Sequence, residues 1–505
     1  MGWKSLFADN PLLIKHVRSR MRRQPLILSI ASVVILCLLI VWAASAARSP
    51  DEDLGMEWLL FLQGMILFVG GTAQVAAATG QARESGNMDF HRISPQRPFA
   101  LSLGFILGAP VREWILFACT LPFALVFVAQ GYPRPGAYVQ ILAAFLSAAL
   151  LYHTLGAFVG MVISKARNAS GTAVAIVLLY NMFTLGEWLA AFTIGPTCMQ
   201  TLKLGGATDL PTACNFYGAN LPAFLIALIH QIPLAVFLCI AVNRKMCAER
   251  AALFARPTAI LFQVFIGLLT LGDIWDLTII ELPRFALTLI AYTLMTAGVL
   301  LSSAVTPASG DFANVVRRAN RLGRAHPAAW SDMASNRALL LALAVVTVGC
   351  VVFAARCPAI QQDPTLAVLG ASLTAAGAIL FYGSARQYFG FRFRENGIWY
   401  FGFCLFCIWI LPLLIGILVG SNHYSDWPQG IMGISPLAGI VIAASWRESG
   451  ADNVGMLSAV ISSFVLALGF WILSTRAECA AAAEAIAAWK GRDRRTTAVR
   501  GNYEV

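Results

Sequence analysis

Charge is scarce in this 505-residue chain. Asp, Glu, Lys and Arg make up 12% of it, about half the share of an ordinary soluble domain. A soluble chain of this length divides into several domains, each with a charged coat, and there is too little charge here to make one. Lysine is scarcest, with Lys4, Lys15, Lys165, Lys203, Lys245 and Lys490, and none of them follows a glycine. A phosphate-binding P-loop needs Gly-Lys before Ser or Thr, so any ATP hydrolysis has to come from another chain. No nucleophile triad, metal cluster, paired carboxylates or chain of acids and histidines stands out, so no catalytic residue and no metal ligand is assigned. The eleven cysteines are mostly scattered through apolar stretches as small hydrophobic residues. Cys404 and Cys407 form a C-x-x-C inside such a stretch and are read the same way.

What is present is apolar. The chain is 58% hydrophobic with a mean hydropathy of +0.72. This excludes disorder, collagen and small secreted disulfide scaffolds. A helix needs roughly 20 apolar residues to cross a bilayer. The pattern predicts twelve such spans, near 25–47, 57–79, 113–131, 137–163, 171–194, 221–242, 258–279, 284–306, 338–355, 364–383, 397–420 and 455–475. A shorter apolar piece at 431–446 reads as a half-helix or surface helix. Ala44-Ser45-Ala46 resembles a cleavage site, but the apolar run before it is too long for a signal peptide.

Lys and Arg set the orientation. With the N-terminus in the cytoplasm, only Arg48, Arg134, Lys203, Arg284, Arg356 and Arg447 of the 36 fall outside. The net charge of +11 is thus a consequence of topology, and no nucleic-acid partner is expected. Arg23-Gln24-Pro25-Leu26 resembles Ala255-Arg256-Pro257-Thr258, and Ile194-Gly195-Pro196 resembles Ile434-Ser435-Pro436. The expectation is an all-α polytopic membrane protein of about twelve transmembrane helices in two parallel six-helix repeats. Its parts are a cytoplasmic interfacial helix at 1–24, membrane halves at 25–245 and 246–476, and a basic cytoplasmic tail at 477–505.

Two segments carry candidate function. In residues 9–24, Asp9 or Asn10 can cap a helix and Pro11 suits its first turn. Leu13, Ile14, Val17 and Met21 fall on one face, with Lys15, Arg18 and Arg22 beside it. That is an amphipathic helix for an anionic lipid surface. Between spans two and three, Arg83 to Pro95 reads as a bend at Gly86 followed by a short surface helix, which Pro95 and Pro98 end. A short charged helix at the end of a span is a mechanical handle for a partner.

That second segment resembles the cytoplasmic motif of permeases of ATP-binding-cassette exporters of the second type, at Glu84, Gly86, Met88, Asp89, Phe90, Ser94 and Pro95. Asn87 stands where Thr is usual and His91 where an apolar residue is. Asn10-Pro11 with Arg18-Ser19-Arg20-Met21-Arg22 resembles the N-terminal helix of the same permeases. Phe216-Tyr217-Gly218 and Asn243-Arg244-Lys245 add to the likeness. In the second half, Asp311 to Asp332 lacks the Glu-x-Gly pattern. The resemblance implies a permease driven by separate nucleotide-binding subunits that hold ATP and Mg. It also implies export, and a multi-pass place in a plasma membrane, the bacterial inner membrane, with both termini cytoplasmic. Membrane lipids are expected partners, and a second copy or further membrane or periplasmic subunits stay open.

Glu187 is the acidic residue singled out inside a span, and with His153 and His230 it is the candidate translocation path. Cys198 and Cys214 share an outer loop where a disulfide is permitted. An ion-coupled secondary transporter is the alternative, and a lipid-modifying membrane enzyme a more distant one.

Overall fold

The computed structural model describes residues 10–46, 54–93, 96–131, 133–163, 165–182, 213–249, 251–275, 283–324, 327–358, 360, 365–420, 427–444 and 453–501. Nearly all of this is helix, as lipid demands of a spanning chain whose backbone groups find no water. Among the described residues, eleven helices are long and apolar enough to cross a membrane. The chain is an all-helical multi-pass membrane protein. The described strands, β1 (Ala213–Phe216) and β2 (Ala219–Pro222), pair as one hairpin.

The helices fall into two compact units, Met1–Asn215 with Ala219–Glu249, and Phe216–Gly218 with Arg250–Val505. The first opens with α1 (Pro11–Arg20) and α2 (Arg23–Ala46). The second span, α3 (Gly55–Glu84), contains a π-helical turn at Met65–Gly70. A surface helix, α4 (Asn87–Ile93), follows it. The chain returns in two pieces, α5 (Pro98–Gly108) and α6 (Val111–Ala129), joined through Ala109-Pro110. The expected span at 113–131 is therefore α6, preceded by an apolar helix that the pattern did not predict. Pro98, expected to end the handle, also opens α5, because a first turn leaves its missing N–H unneeded.

Three more helices complete this unit: α7 (Pro135–Val162), α8 (Ala166–Met182) and α9 (Ala223–Cys247). The span expected at 171–194 begins in α8 and continues outside the described residues, as does Ile194-Gly195-Pro196. The core lies between α3 and α7, where small residues let the backbones meet. A Cβ at Gly156 would stand 2.7 Å from the Thr72 carbonyl oxygen, and one at Gly160 2.7 Å from that of Ala76.

The second unit contains α10 (Arg256–Ile274), α11 (Pro283–Val305), α12 (Ser309–Arg321), α13 (Arg337–Ala354), α14 (Thr365–Phe393) and α15 (Gly397–Leu418). The apolar piece at 431–446 is two short helices, α16 (Trp427–Gly433) and α17 (Pro436–Ala444). The last helix, α18 (Asn453–Gly501), runs on past its apolar part without a break where the tail was expected to begin. Phe312 and Val316 of α12 bury against Phe391, with Ala477, Ala481 and Ile486 of α18 packed on them.

The extension of α18 is locked by ions as well as by packing. Glu478, 4% exposed, contacts both the Arg337 guanidinium and the Gln387 amide. Removing one partner of a buried pair strands the other charge, at about 3 kcal/mol where the survivor keeps some solvent. Glu478→Ala should lower the melting temperature and raise amide exchange in α18 beyond Arg476. Unchanged exchange there would rule out the ionic lock.

Candidate functional site

The handle is built by a left-handed residue. α3 ends at Glu84, and Gly86 follows with φ +72°, a region closed to most side chains. Nothing lies within 4 Å of where its Cβ would be, so backbone conformation alone requires glycine. Gly86→Val should therefore cost roughly 1–2 kcal/mol without steric conflict. A melting temperature equal to that of the parent would contradict the strain argument.

α4 is anchored on one side and bare on the other. Met88, 1% exposed, shares a core with Leu12 of α1, Val75 of α3, Phe105 of α5 and Val242 and Met246 of α9. Phe90 and Ile93 are 67% and 82% exposed. Asp89 pairs with Arg92 one turn on. The Arg92 guanidinium also donates to the Lys245 carbonyl, 3.1 Å away at the end of α9, and lies 3.6 Å from Glu249. Arg92 is the member of this site that the motif did not single out. Its three-residue spacing from Asp89 was the available signal. Glu84 is engaged too, since its carboxylate accepts from the Ala166 N–H at 3.1 Å and so caps α8. Ser94 and Pro95 lie outside the described residues.

α1 rests beside this handle. The Asn10 side chain accepts from the N–H groups of Leu12 and Leu13 and donates to the Ala100 carbonyl at 2.6 Å. Lys15, Arg18 and Arg22 are exposed as the amphipathic pattern requires. The apolar face differs from the expected one, for Leu12 is the deepest residue at 3% exposure while Met21 is 41% exposed. The reason is that α1 docks on protein. A Cβ at Gly104 would meet Leu12 at 3.0 Å, and one at Gly108 would meet the Leu13 backbone at 3.2 Å.

His16 is half-buried in this dock with its ring 5.3 Å from that of Phe105. Burial, then the charges of Lys15 and Arg20 and the nearby His91, push its pKa down to about 4. His91 on α4 is lowered as well, by burial and then by Lys15. Between the ordinary value of 6.5 and about 4, an unfolded imidazole takes up a proton that the folded one refuses. Stability should thus fall as pH drops through that window and stay level above it. His16→Leu should flatten that slope in a melting series from pH 7 to 4.5. A slope equal to that of the parent would contradict the assignment to His16.

The expected translocation path is placed in part. His153 is fully buried, with Nε2 2.9 Å from the Leu67 carbonyl inside the π-turn and its ring edge-on to Trp114. His230 is also fully buried, with Nδ1 2.7 Å from the Ile226 carbonyl one turn back. Glu187 lies outside the described residues. Glu113 is a buried carboxylate that the sequence did not flag, 3% exposed and 2.9 Å from Arg112. It lies close to Gly70 of α3, because the returning chain starts at Pro98 and Glu113 is not at its end. His153, Glu113, Trp114 and Thr72 each keep one buried polar atom without a hydrogen-bond partner among the described residues. Cys198 lies outside the described residues, and Cys214 is placed only as a backbone position on β1.

Residues 11–185 match the family model of the ABC-2 type transporter. This segment, about a third of the chain, holds α1, the handle and the buried polar cluster, and these are what the chain shares with the membrane domain of that transporter family. No curated protein and no solved structure matches the chain.

Proposed function

We propose that this ABC-2 type domain makes the chain the membrane subunit of an ATP-driven exporter, powered by separate ATPase chains that carry ATP and Mg and dock on α4. The observation that carries the reading is the division of α4 into an anchored side and a bare side. Its exposed large apolar residues, Phe90 and Ile93, offer a partner something to bury, and exposed apolar groups clustered on one short element suit an interface. The inner side of α4, together with the end of α3 that leads into it, has three ways to pass on a push. Met88 reaches the core of α1, α3 and α9; Arg92 holds the end of α9; Glu84 holds the start of α8. A displacement of α4 by a nucleotide-driven clamp would therefore move several helices together.

The positive residues support both termini in the cytoplasm, and the likeness to ABC-2 type permeases supports a bacterial inner membrane. Lys15, Arg18 and Arg22 would hold α1 on anionic lipid beside the docked ATPase. Docking is assigned to the first unit, because the apolar face of α12 in the second is already covered by Phe391 and α18. Substrate would pass near Glu113, His153 and His230, with Glu187 a further candidate.

The test is Glu84→Ala with Asp89→Ala in the intact complex. The expected result is ATP hydrolysis at the parent rate with transport reduced at least tenfold. Transport at the parent rate would remove the handle from the mechanism.

A further inference from the structure

The second unit contains a cavity of about 710 Å³ that the transport reading does not use. It is lined by Thr306 just after α11, Ser309 at the start of α12, Arg386 and Gly390 from the last turns of α14, and Arg394 and Asn396 from the turn into α15. Arg386 and Arg394 are its charged lining residues among those described. Arg386 is half-buried and makes no ion pair among the described residues; its guanidinium lies 5.9 Å from the centre of the Phe401 ring. Arg394 pairs with Glu484 at 3.2 Å, but both side chains are about 70% exposed, where such a pair is worth little.

The place of the cavity indicates what fills it. α11 ends at Val305, α14 at Phe393, and α15 begins at Gly397. The lining residues therefore sit where three membrane helices meet their ends. Trp399 and Tyr400, 79% and 49% exposed, stand just beyond, as aromatic side chains do at a lipid–water boundary. Phe393 supplies an apolar wall to the same cavity. Basic pockets at this level between membrane helices suit anionic headgroups, and a guanidinium fork matches a phosphate geometrically.

We propose that this cavity is a binding site for a phosphate-bearing anion, with Arg386 and Arg394 as its ligands and the headgroup of an anionic phospholipid as its occupant. The site makes no use of the handle at Glu84–Ile93, so it stands or falls independently of the transport reading. A Cβ at Gly390 would meet only the Arg386 guanidinium, at 3.7 Å. A larger residue there can fill the cavity while both arginines stay.

The test is native mass spectrometry of the full-length chain in detergent, titrated with phosphatidylglycerol and with phosphatidylcholine of the same acyl chains. The parent should retain phosphatidylglycerol in preference. Arg386→Ala with Arg394→Ala should weaken that retention roughly thirtyfold, the product of about fivefold for each cation near a membrane surface. Gly390→Leu should weaken it at least tenfold with both charges present, and Arg324→Ala, an exposed arginine outside the cavity, should leave it unchanged. Displacement by soluble glycerol phosphate would show that the headgroup alone suffices. Displacement only by lipid would show that acyl chains contribute, and either result supports the phosphate site. Retention in Gly390→Leu equal to the parent, or equal retention of the two lipids by the parent, would overturn it.

Discussion

Phe90→Ala with Ile93→Ala should leave the chain folded and strip it of its ATPase. Both side chains are more than two-thirds exposed, so truncating them should change stability by no more than about 0.5 kcal/mol. In a docked complex they would be buried, and each buried aromatic or branched side chain contributes roughly 1.5–3 kcal/mol. Together that is a loss of about 3–6 kcal/mol, a hundredfold to ten-thousandfold in affinity. Transport should fall with it, and the melting temperature of the isolated chain should stay within a degree or two. If the double variant holds its partner as tightly as the parent, the bare side of α4 is not the docking surface.

Gly160→Leu should have the opposite profile, with loss of the folded chain itself. α3 and α7 approach through Gly156 and Gly160 against the carbonyl oxygens of Thr72 and Ala76. A backbone carbonyl cannot swing aside as a flexible side chain can. A leucine must therefore part the two helices over several turns. Overpacking of a well-fitted core costs about 1–3 kcal/mol and occasionally more, and here the lost contacts of α3 with α7 add to it. α3 is also the helix that ends in the handle, so a parted pair disturbs both stability and coupling. The readout is the yield and melting temperature of purified protein. Yield and melting temperature equal to the parent would mean that this contact does not hold the first unit together. Gly160→Ala should show a smaller loss in the same direction.

Much of this organisation was legible in the sequence because a bilayer imposes simple rules. Apolar runs of the required length located the helices, and eleven helices long and apolar enough to cross a membrane are present among the described residues. The bend at Gly86 was legible because a lone glycine before a short polar helix has few other uses. What escaped was set by contact rather than by local pattern. α5 was missed because an apolar helix of eleven residues is too short for a span, and packing against α1, α7 and α9 explains it. Leu12 was left off the apolar face of α1 because the pattern assumed lipid as the surface, whereas Gly104 offers a protein groove to one side. Glu113 looked like an end residue because the helix seemed to start there. Arg92 was not singled out, because its role depends on Lys245 and Glu249, more than 150 residues away.

The docking of an ATPase on α4 is tested most directly by placing a photo-crosslinking residue at position 90 and purifying the tagged full-length chain from its own membranes. A chain carrying a P-loop should be crosslinked there in stoichiometric amount, and the same residue at position 322, exposed at the end of α12, should capture none. A chain that purifies alone, gives no crosslink from position 90 and still moves solute on an ion gradient would contradict the proposal.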